Sequence, residues 1–560
     1  MNKNILKKIL ILLLIIVLAV FLYKIINKAY TEKLKENMKD EAWLKENVDI
    51  TEDFSIGSNV LSVNKLSDID IYSDVYQKVI DEKINDLKNS KEYTLDEPLL
   101  IYNAYGTNSS SINIYFNTDE ESYLKYTVDC NDEEINDYTK VLYNGEENNL
   151  TTKHKYQITG LVAGEEQEVI FKLYNENGEV IDESKITVFM PESKVDTKLE
   201  VTKGESSEEL EDGLYAVLGH DKSFNSNIYL YDNDGILRSE IPLNSYRTDR
   251  ILQIDGNMFY SYTKRSFALV DKLGKVIKTY KIDGYYMHHD YIYDENTNNL
   301  IILANKDDAD TIEDRVITLN LDTGETKEII NMQDFANDFY KTAVQPEDGN
   351  TYGGDELDWV HLNSLSLNGT DLVLSSREFS TIFCIRDIYN SPTLKYVIGD
   401  ETIYEGTSLE DYALTKEGDF ISQAGQQTIT YQLDDNLQNG QYYLIMYNNN
   451  YAASRTRPDF NWEPFVGAGN YTEGEASKYY KYLVDENNKT FTLVDSFDTD
   501  YSSVVSSVQQ LDKNIVTSSG MDNSFSEFDS NHVLIRRFSY SSKKYAYRVF
   551  KYNFNNFWYY

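Results

Sequence analysis

Short runs of alternating apolar and polar residues, separated by turn residues, make up most of the chain after residue 93. A period of two is typical of strands that bury one face, and Asn-Gly or Asp-rich turns connect such strands into hairpins. At 94–191 these runs include YLKYTVDC and EVIFKLYN, with the turn signal Asn177-Gly178 after the second. The spacing predicts a small β-sandwich domain at 94–191.

An internal repeat follows and predicts the fold of the larger part of the chain. One unit is a strand, an Asp- or Asn-rich turn and a second strand, as in the outer hairpin of a propeller blade. Six copies occur, one of them degenerate: IYLYDNDGILRSEIPL, FALVDKLGKVIKTYKI, ITLNLDTGETKEII, FCIRDIYNSPTLKYVIG, YLVDENNKTFTLVDSF and FSEFDSNHVLIRRF. We therefore predict an all-β protein with a six-bladed β-propeller at 213–560.

The segments on either side of the sandwich have a different pattern. Residues 29–93 are rich in Lys, Glu and Asp, and their apolar residues recur at helical spacing. One predicted helix face carries Val75, Val79, Ile80 and Ile84. We predict a helical stalk at 29–93 and a charged linker at 192–212.

An apolar run near the N-terminus predicts a membrane anchor. Residues 9–23 read ILILLLIIVLAVFLY, and Lys24 can extend to the interface so that Ile25 and Ile26 lengthen the run. There is no small-residue cleavage site and no cysteine for lipidation, which favours an uncleaved signal anchor at 1–28 over a removed signal peptide. The predicted location is the cell membrane, as a single-pass protein with its folded body outside the cytoplasm.

Composition excludes several classes of partner and cofactor. The 93 acidic and 53 basic residues give a net charge of −40, which repels nucleic-acid phosphates, so we expect no nucleic-acid partner. The two cysteines, Cys130 and Cys384, are expected to be buried free thiols. No nucleotide-binding fingerprint is present, and the sequence predicts no cofactor and no metal site. The oligomeric state stays open.

Polar residues at the entrances of the predicted inner strands are candidate site residues, because the inner strands of a propeller converge on its central channel. They occur in MHHD, DWVHLNS, SSR and GQQT. The chain has six histidines, and three of them lie at these entrances, although a channel histidine is often only structural. The candidates are His288, His289, His361, Asn363, Arg377 and Gln427.

These motifs resemble those of bacterial aryl-sulfate sulfotransferases. The resemblance rests on DWVHLNSLSLNGTDLVLSSREFSTIFCI, on MHHD, on MYNNNYAASRTRPDFNW and on the C-terminal YRVFKYNFNNFW. KHKYQITGLVAGEEQEVIFKLYNENG resembles the N-terminal β-domain of that family. The resemblance implies transfer of sulfate from a phenolic sulfate donor to a phenol acceptor, without a nucleotide cofactor and through a transient sulfohistidine.

The resemblance also implies roles for individual residues. Arg377 matches the arginine that clamps sulfate in this family, and its planar guanidinium suits tetrahedral oxyanions. His289 and His361 match the two supporting histidines, which hold sulfate oxygens and move protons. Asn363 and His288 are further candidates for substrate binding.

One position departs from the family pattern. Where the family usually reads Gly-Gln-His-Thr, with that histidine as the nucleophile, this chain has Gln427 in Gly-Gln-Gln-Thr. An amide has no basic nitrogen with which to form a sulfo-intermediate. Three hypotheses follow: a sulfotransferase with a rearranged mechanism, a propeller that binds aryl sulfates or related anions without turnover, and a cell-surface interaction scaffold.

Overall fold

The computed structural model describes residues 40–67, 69–142, 149–219, 226–245, 247–462, 476–542 and 545–560. The membrane anchor predicted at 1–28 lies outside these ranges and stays a prediction. Within them, no helix has the length and apolar character that a membrane span requires.

An eight-stranded sheet forms the N-terminal β-domain. Its centre is the long strand Ile112–Cys130, which pairs with four other strands: Leu99–Tyr102, Tyr138–Val141, Thr151–Ile158 and Glu166–Tyr174. The remaining strands are Ile50–Glu52, Val60–Val63 and Val180–Phe189. Every second residue of Glu166–Tyr174 is buried, as the alternating sequence pattern requires.

The helical stalk predicted at 29–93 differs from the structure over the described part of that range. Two helices form, Glu41–Asn47 and Asp74–Ser90, but the longer one packs on the folded body. Its Gln77 donates to the carbonyl of Tyr105 in the β-domain and accepts from the N–H of Val276 in blade 2. The longer helix buries Val79, Ile80 and Ile84 in the same apolar core as the strands, whereas Val75 is exposed. The physical reason is that an apolar helix face gains free energy by covering a sheet, which a free stalk would forgo.

The predicted six-bladed propeller is confirmed. From the innermost to the outermost strand, blade 1 contains Arg548–Tyr552, Leu214–Leu218, Asn227–Tyr231 and Leu237–Pro242. In the same order, blade 2 contains Ile251–Ile254, Asn257–Thr263, Ser266–Val270 and Val276–Lys281. Blade 3 contains Tyr285–Asp294, Asn299–Lys306, Arg315–Asn320 and Thr326–Asn331. Blade 4 contains Leu362–Asn368, Asp371–Ser376, Thr381–Arg386 and Thr393–Ile398. Blade 5 contains Gln427–Gln432, Gln441–Asn448, Ser477–Asp485 and Thr490–Thr499. Blade 6 contains Ser506–Gln510, Ile515–Ser519, Ser524–Phe528 and Leu534–Ser539. The six sequence repeats correspond to the two outer strands of each blade.

The C-terminal strand closes the ring. Arg548–Tyr552 pairs antiparallel with Leu214–Leu218, so blade 1 combines both ends of the propeller sequence. On this strand Lys551 Nζ lies 2.9 Å from Glu527 Oε2 of blade 6, and both side chains are buried. This ion pair joins the first blade to the last.

Two blades carry a fifth strand. Glu200–Lys203, inside the predicted linker at 192–212, pairs with Leu534–Ser539, and Thr415–Glu417 pairs with Thr490–Thr499. Both additions cover backbone groups that the edge of a blade would otherwise expose. The loops contain the short helices Met332–Asp334, Asn337–Thr342, Glu401–Ile403, Glu410–Tyr412 and Gly520–Asp522. Cys130 and Cys384 are buried free thiols, as predicted.

Candidate active site

The structure brings His289, His361 and Arg377 together between blades 3 and 4. The ring centroids of His289 and His361 are 4.9 Å apart. The backbone N–H of Arg377 donates to the carbonyl of His361 at 3.1 Å. Asp358 Oδ2 lies 2.7 Å from His361 Nδ1 and 3.8 Å from Arg377 Nη2. Arg377 follows Asp371–Ser376, the second strand of blade 4.

Unusual backbone conformations position the two histidines. In the innermost strand of blade 3 the pairing register shifts between Met287 and Tyr291, so His289 lies in an irregular stretch of that strand. The φ angles of His289 and His361 are 58° and 48°, in the left-handed region that residues other than glycine rarely adopt. Backbone strain of this kind concentrates at functional sites, where the surrounding structure holds it in place.

Glu313 is a central part of the cluster that the sequence interpretation missed. Its side chain is 0% exposed, and its Oε2 lies 2.5 Å from His361 Nδ1. Oε1 lies 3.4 Å from His289 Nδ1 and accepts a hydrogen bond from Tyr352 OH at 2.6 Å. Glu313 precedes Arg315–Asn320, the third strand of blade 3, so a search of inner-strand entrances does not reach it.

The electrostatic environment gives the three histidines different pKa values. Burial opposes protonation of His361, but the carboxylates of Asp358 and Glu313 outweigh it and raise its pKa to about 9. Burial lowers the pKa of His289 well below its ordinary value and the pKa of His288 to about 4. Although burial raises the pKa of Glu313, the neighbouring histidines outweigh it and hold that pKa well below its ordinary value.

Asn363 and Gln427, both predicted to bind substrate, make hydrogen bonds that join neighbouring blades. Asn363 Nδ2 donates to the backbone carbonyl of Gln426 at 2.8 Å, which connects blade 4 to blade 5. Gln427 Oε1 accepts from the backbone N–H of Ser506 at 3.0 Å, which connects blade 5 to blade 6. The side-chain oxygen of Gln427 is thus engaged in a contact between blades.

His288 connects the cluster to a cavity. Its Nδ1 lies 2.9 Å from His289 Nδ1. The adjacent cavity has a volume of about 320 Å³, within the ~300 to 1,000 Å³ typical of small-molecule sites. Its lining includes His288, Glu313, Arg247, Lys264, Tyr286 and Tyr352. A small aromatic ligand could therefore reach the histidine cluster from this side.

The cluster also contains two sets of side chains with metal-ligating atoms. His288, His289 and Glu313 form one set, and Glu313, Asp358 and His361 form the other. In each set all residues are buried and their ligand atoms lie within 4.8 Å of one another. These residues come from separate segments of blades 3 and 4, so their sequence spacing did not predict a metal site.

The fold and the cluster define a six-bladed propeller with histidine, arginine and carboxylate side chains gathered between two of its blades. The family model described as Arylsulfotransferase (ASST) matches residues 199–560, and the model described as Arylsulfotransferase Ig-like domain matches residues 99–191. The chain therefore belongs to the arylsulfotransferase family, which confirms the resemblance noted in its motifs.

A search of curated proteins finds no match. Similar solved structures include a quinonprotein alcohol dehydrogenase-like protein from Bacteroides thetaiotaomicron, with 11% identity, 83% of this chain and 98% of that chain covered, and a TM-score of 0.31. AztD from Citrobacter koseri has 10% identity, 77% and 99% coverage, and a TM-score of 0.28. At these TM-scores neither likeness carries an argument about this chain.

Proposed function

We propose that this chain binds phenolic sulfate esters at the His289, His361 and Arg377 cluster and transfers the sulfuryl group to a phenol acceptor without a nucleotide cofactor. The observation that carries the proposal is the convergence of these three side chains in a chain of the arylsulfotransferase family. We further propose that the chain is anchored in the cell membrane by residues 1–28, with the propeller outside the cytoplasm.

The reaction needs positive charge around the sulfuryl oxygens and groups that move one proton. The S–O bond to the donor phenol breaks, a new S–O bond to the acceptor oxygen forms, and the acceptor proton ends on the released phenol. Arg377 provides the planar cation for the sulfuryl oxygens. His289 and His361 provide hydrogen-bond donors and the proton path.

The glutamine at position 427 determines whether the proposed transfer can pass through a covalent intermediate. A glutamine amide cannot act as the sulfuryl-accepting nucleophile, and its oxygen is engaged by the N–H of Ser506. We therefore propose direct transfer from donor to acceptor, with no covalent intermediate at residue 427. The acceptor and donor would occupy the cavity beside His288 and Tyr352.

A second candidate function also follows from the presence of Gln427. Without the usual nucleophile, the cluster would bind aryl sulfates or related anions and release them unchanged. An interaction scaffold, the third hypothesis, gives no role to a buried cluster that retains strained histidines.

The two functions differ in a transfer assay. The purified full chain is incubated with an aryl sulfate and a phenol acceptor, and the sulfated acceptor is measured beside a Gln427→His variant. Gln432→His is the matched control, because Gln432 ends the same strand. Direct transfer predicts turnover by the unmodified chain; a binding protein predicts turnover only in Gln427→His. If none of the three proteins binds or converts an aryl sulfate, the proposed function is wrong.

A further inference from the structure

Buried carboxylates surround the cations of the cluster. Glu313, Asp358 and Glu378 are all buried and contact His361 or Arg377. Arg247, whose Nε lies 2.7 Å from Asp249 Oδ1, and Lys264 line the adjacent cavity. A sulfate ester would add another negative charge in a buried place, where unpaired charge is costly. A further cation at the site would compensate this added charge.

One set of side chains has the spacing of metal ligands. His288 Nδ1 lies 2.9 Å from His289 Nδ1, which lies 3.4 Å from Glu313 Oε1. Zinc bonds of ~2.1 Å place ligand atoms about 3.4 Å apart at the tetrahedral angle, which is the spacing of His289 Nδ1 and Glu313 Oε1, whereas the two Nδ1 atoms lie at a hydrogen-bond distance. All three atoms lie within 4.8 Å of one another, so small side-chain rotations complete the set.

The other set has the spacing of hydrogen bonds instead. His361 Nδ1 lies 2.5 Å from Glu313 Oε2 and 2.7 Å from Asp358 Oδ2. Both distances are shorter than the ligand spacings around a zinc ion. His361 Nδ1 is therefore held by its hydrogen bond to Asp358 Oδ2, with the Glu313 carboxylate beside it.

The backbone is arranged to bring two consecutive histidines to one point. Neighbouring residues of a regular strand direct their side chains to opposite faces. The register shift between Met287 and Tyr291 and the φ of 58° at His289 break this alternation, so that the Nδ1 atoms of His288 and His289 meet. A strained residue that joins two potential ligands indicates a binding role for the pair.

The same side chains face an open space. His288 and Glu313 both line the cavity of about 320 Å³. Three protein ligands with an open fourth position are the arrangement of catalytic zinc sites.

We propose that His288 Nδ1, His289 Nδ1 and Glu313 bind one Zn²⁺ ion whose remaining coordination position faces the cavity. The ion supplies positive charge for the bound ester, and the open position takes a sulfuryl or phenolic oxygen of the ligand. This site goes beyond the proposed function, because the ion can be measured in the absence of any aryl sulfate.

The test is the zinc content of the full chain. Protein purified without a metal-affinity step is dialysed against micromolar free zinc, and bound zinc is measured by mass spectrometry. We expect one zinc per chain in the wild type and in His532→Asn, a control histidine that contacts Asp495. We expect His288→Asn and Glu313→Gln to weaken zinc binding at least ~100-fold, because loss of an outer-shell partner alone costs ~10- to 100-fold, with unchanged circular dichroism.

X-ray absorption at the zinc edge identifies the ligands without any variant. The proposal predicts two imidazole nitrogens and oxygen ligands in the first coordination sphere. Wild-type protein that retains no zinc, or a bound zinc without two imidazole ligands, would overturn it. Failure of sulfate transfer leaves this result unaffected, so the two proposals can fail separately.

Discussion

Two carboxylates of the propeller, Glu527 and Glu313, are both fully buried but differ in how completely they are hydrogen-bonded. Glu527 Oε2 accepts from Lys551 Nζ at 2.9 Å and from Tyr215 OH at 2.5 Å. Glu313 Oε2 lies 2.5 Å from His361 Nδ1, yet it makes no hydrogen bond of acceptable geometry among the described residues. The first carboxylate is fully paired, and the second is not.

The difference separates a structural ion pair from a candidate functional one. Lys551 uses its three donors on Glu527, Tyr215 and Asn233, so its charge is compensated in one fixed geometry. Fully satisfied buried networks specify a structure, whereas a partly satisfied network costs stability and needs another reason to persist. At Glu313 that reason is the ligand and the cation that the cluster is proposed to bind.

The largest effect is expected at the closing strand. Lys551→Met leaves the Glu527 carboxylate buried and unpaired, which should lower the free energy of unfolding of the propeller by about 3 to 5 kcal/mol. The measurement is urea unfolding followed by tryptophan fluorescence. Lys185→Met is the control, because Lys185 pairs with Glu168 on the surface of the β-domain. Equal unfolding midpoints for the two variants would contradict the structural role of Lys551.

The next largest effect is expected on the rate of catalysis, with the stability of the protein unchanged. Arg377→Lys keeps the charge but removes the planar fork, so the kcat/KM of aryl-sulfate transfer should fall by about 10²- to 10³-fold. The melting temperature should stay near that of the wild type. Arg386→Lys is the matched control, since the Arg386 guanidinium bonds only to Thr393 among the described contacts. Equal kcat/KM values in both variants would argue against the sulfate-clamping role.

The smallest effect is expected for the stability of Glu313→Gln. The substitution removes a buried charge that is poorly hydrogen-bonded, and it also removes the attraction to His361. These changes oppose each other, so the free energy of unfolding should change by about 1 kcal/mol or less. The same urea experiment measures it. A loss as large as that of Lys551→Met would show that Glu313 is structural after all.

The blades were predictable because their sequence signal is local. In the first repeat, Asp232 Oδ1 accepts from the backbone N–H groups of Asp234 and Ile236, so the turn residues themselves form the hairpin. A strand, turn and strand repeated along the chain therefore indicate a blade without any knowledge of distant contacts. The packing of the helix Asp74–Ser90 was not predictable, because an apolar face does not reveal what covers it.

The candidate site was predictable only in part. His289, His361 and Arg377 occur in distinctive motifs, and the structure brings them together as expected. Glu313 lies in an acidic loop and resembles the many other carboxylates of this chain, which has 93 acidic residues. Its contact with His361 arises through the fold of two blades, so no spacing in the sequence indicates it.

The most direct test of the central claim is aryl-sulfate transfer by His361→Asn. The account predicts a rate at least ~10²-fold below that of the wild type, as expected when a group that moves the proton is lost, with the melting temperature almost unchanged. His532→Asn should transfer sulfate at the wild-type rate. Equal rates in the wild type and in His361→Asn, whether high or absent in both, would contradict the claim that this cluster performs the reaction.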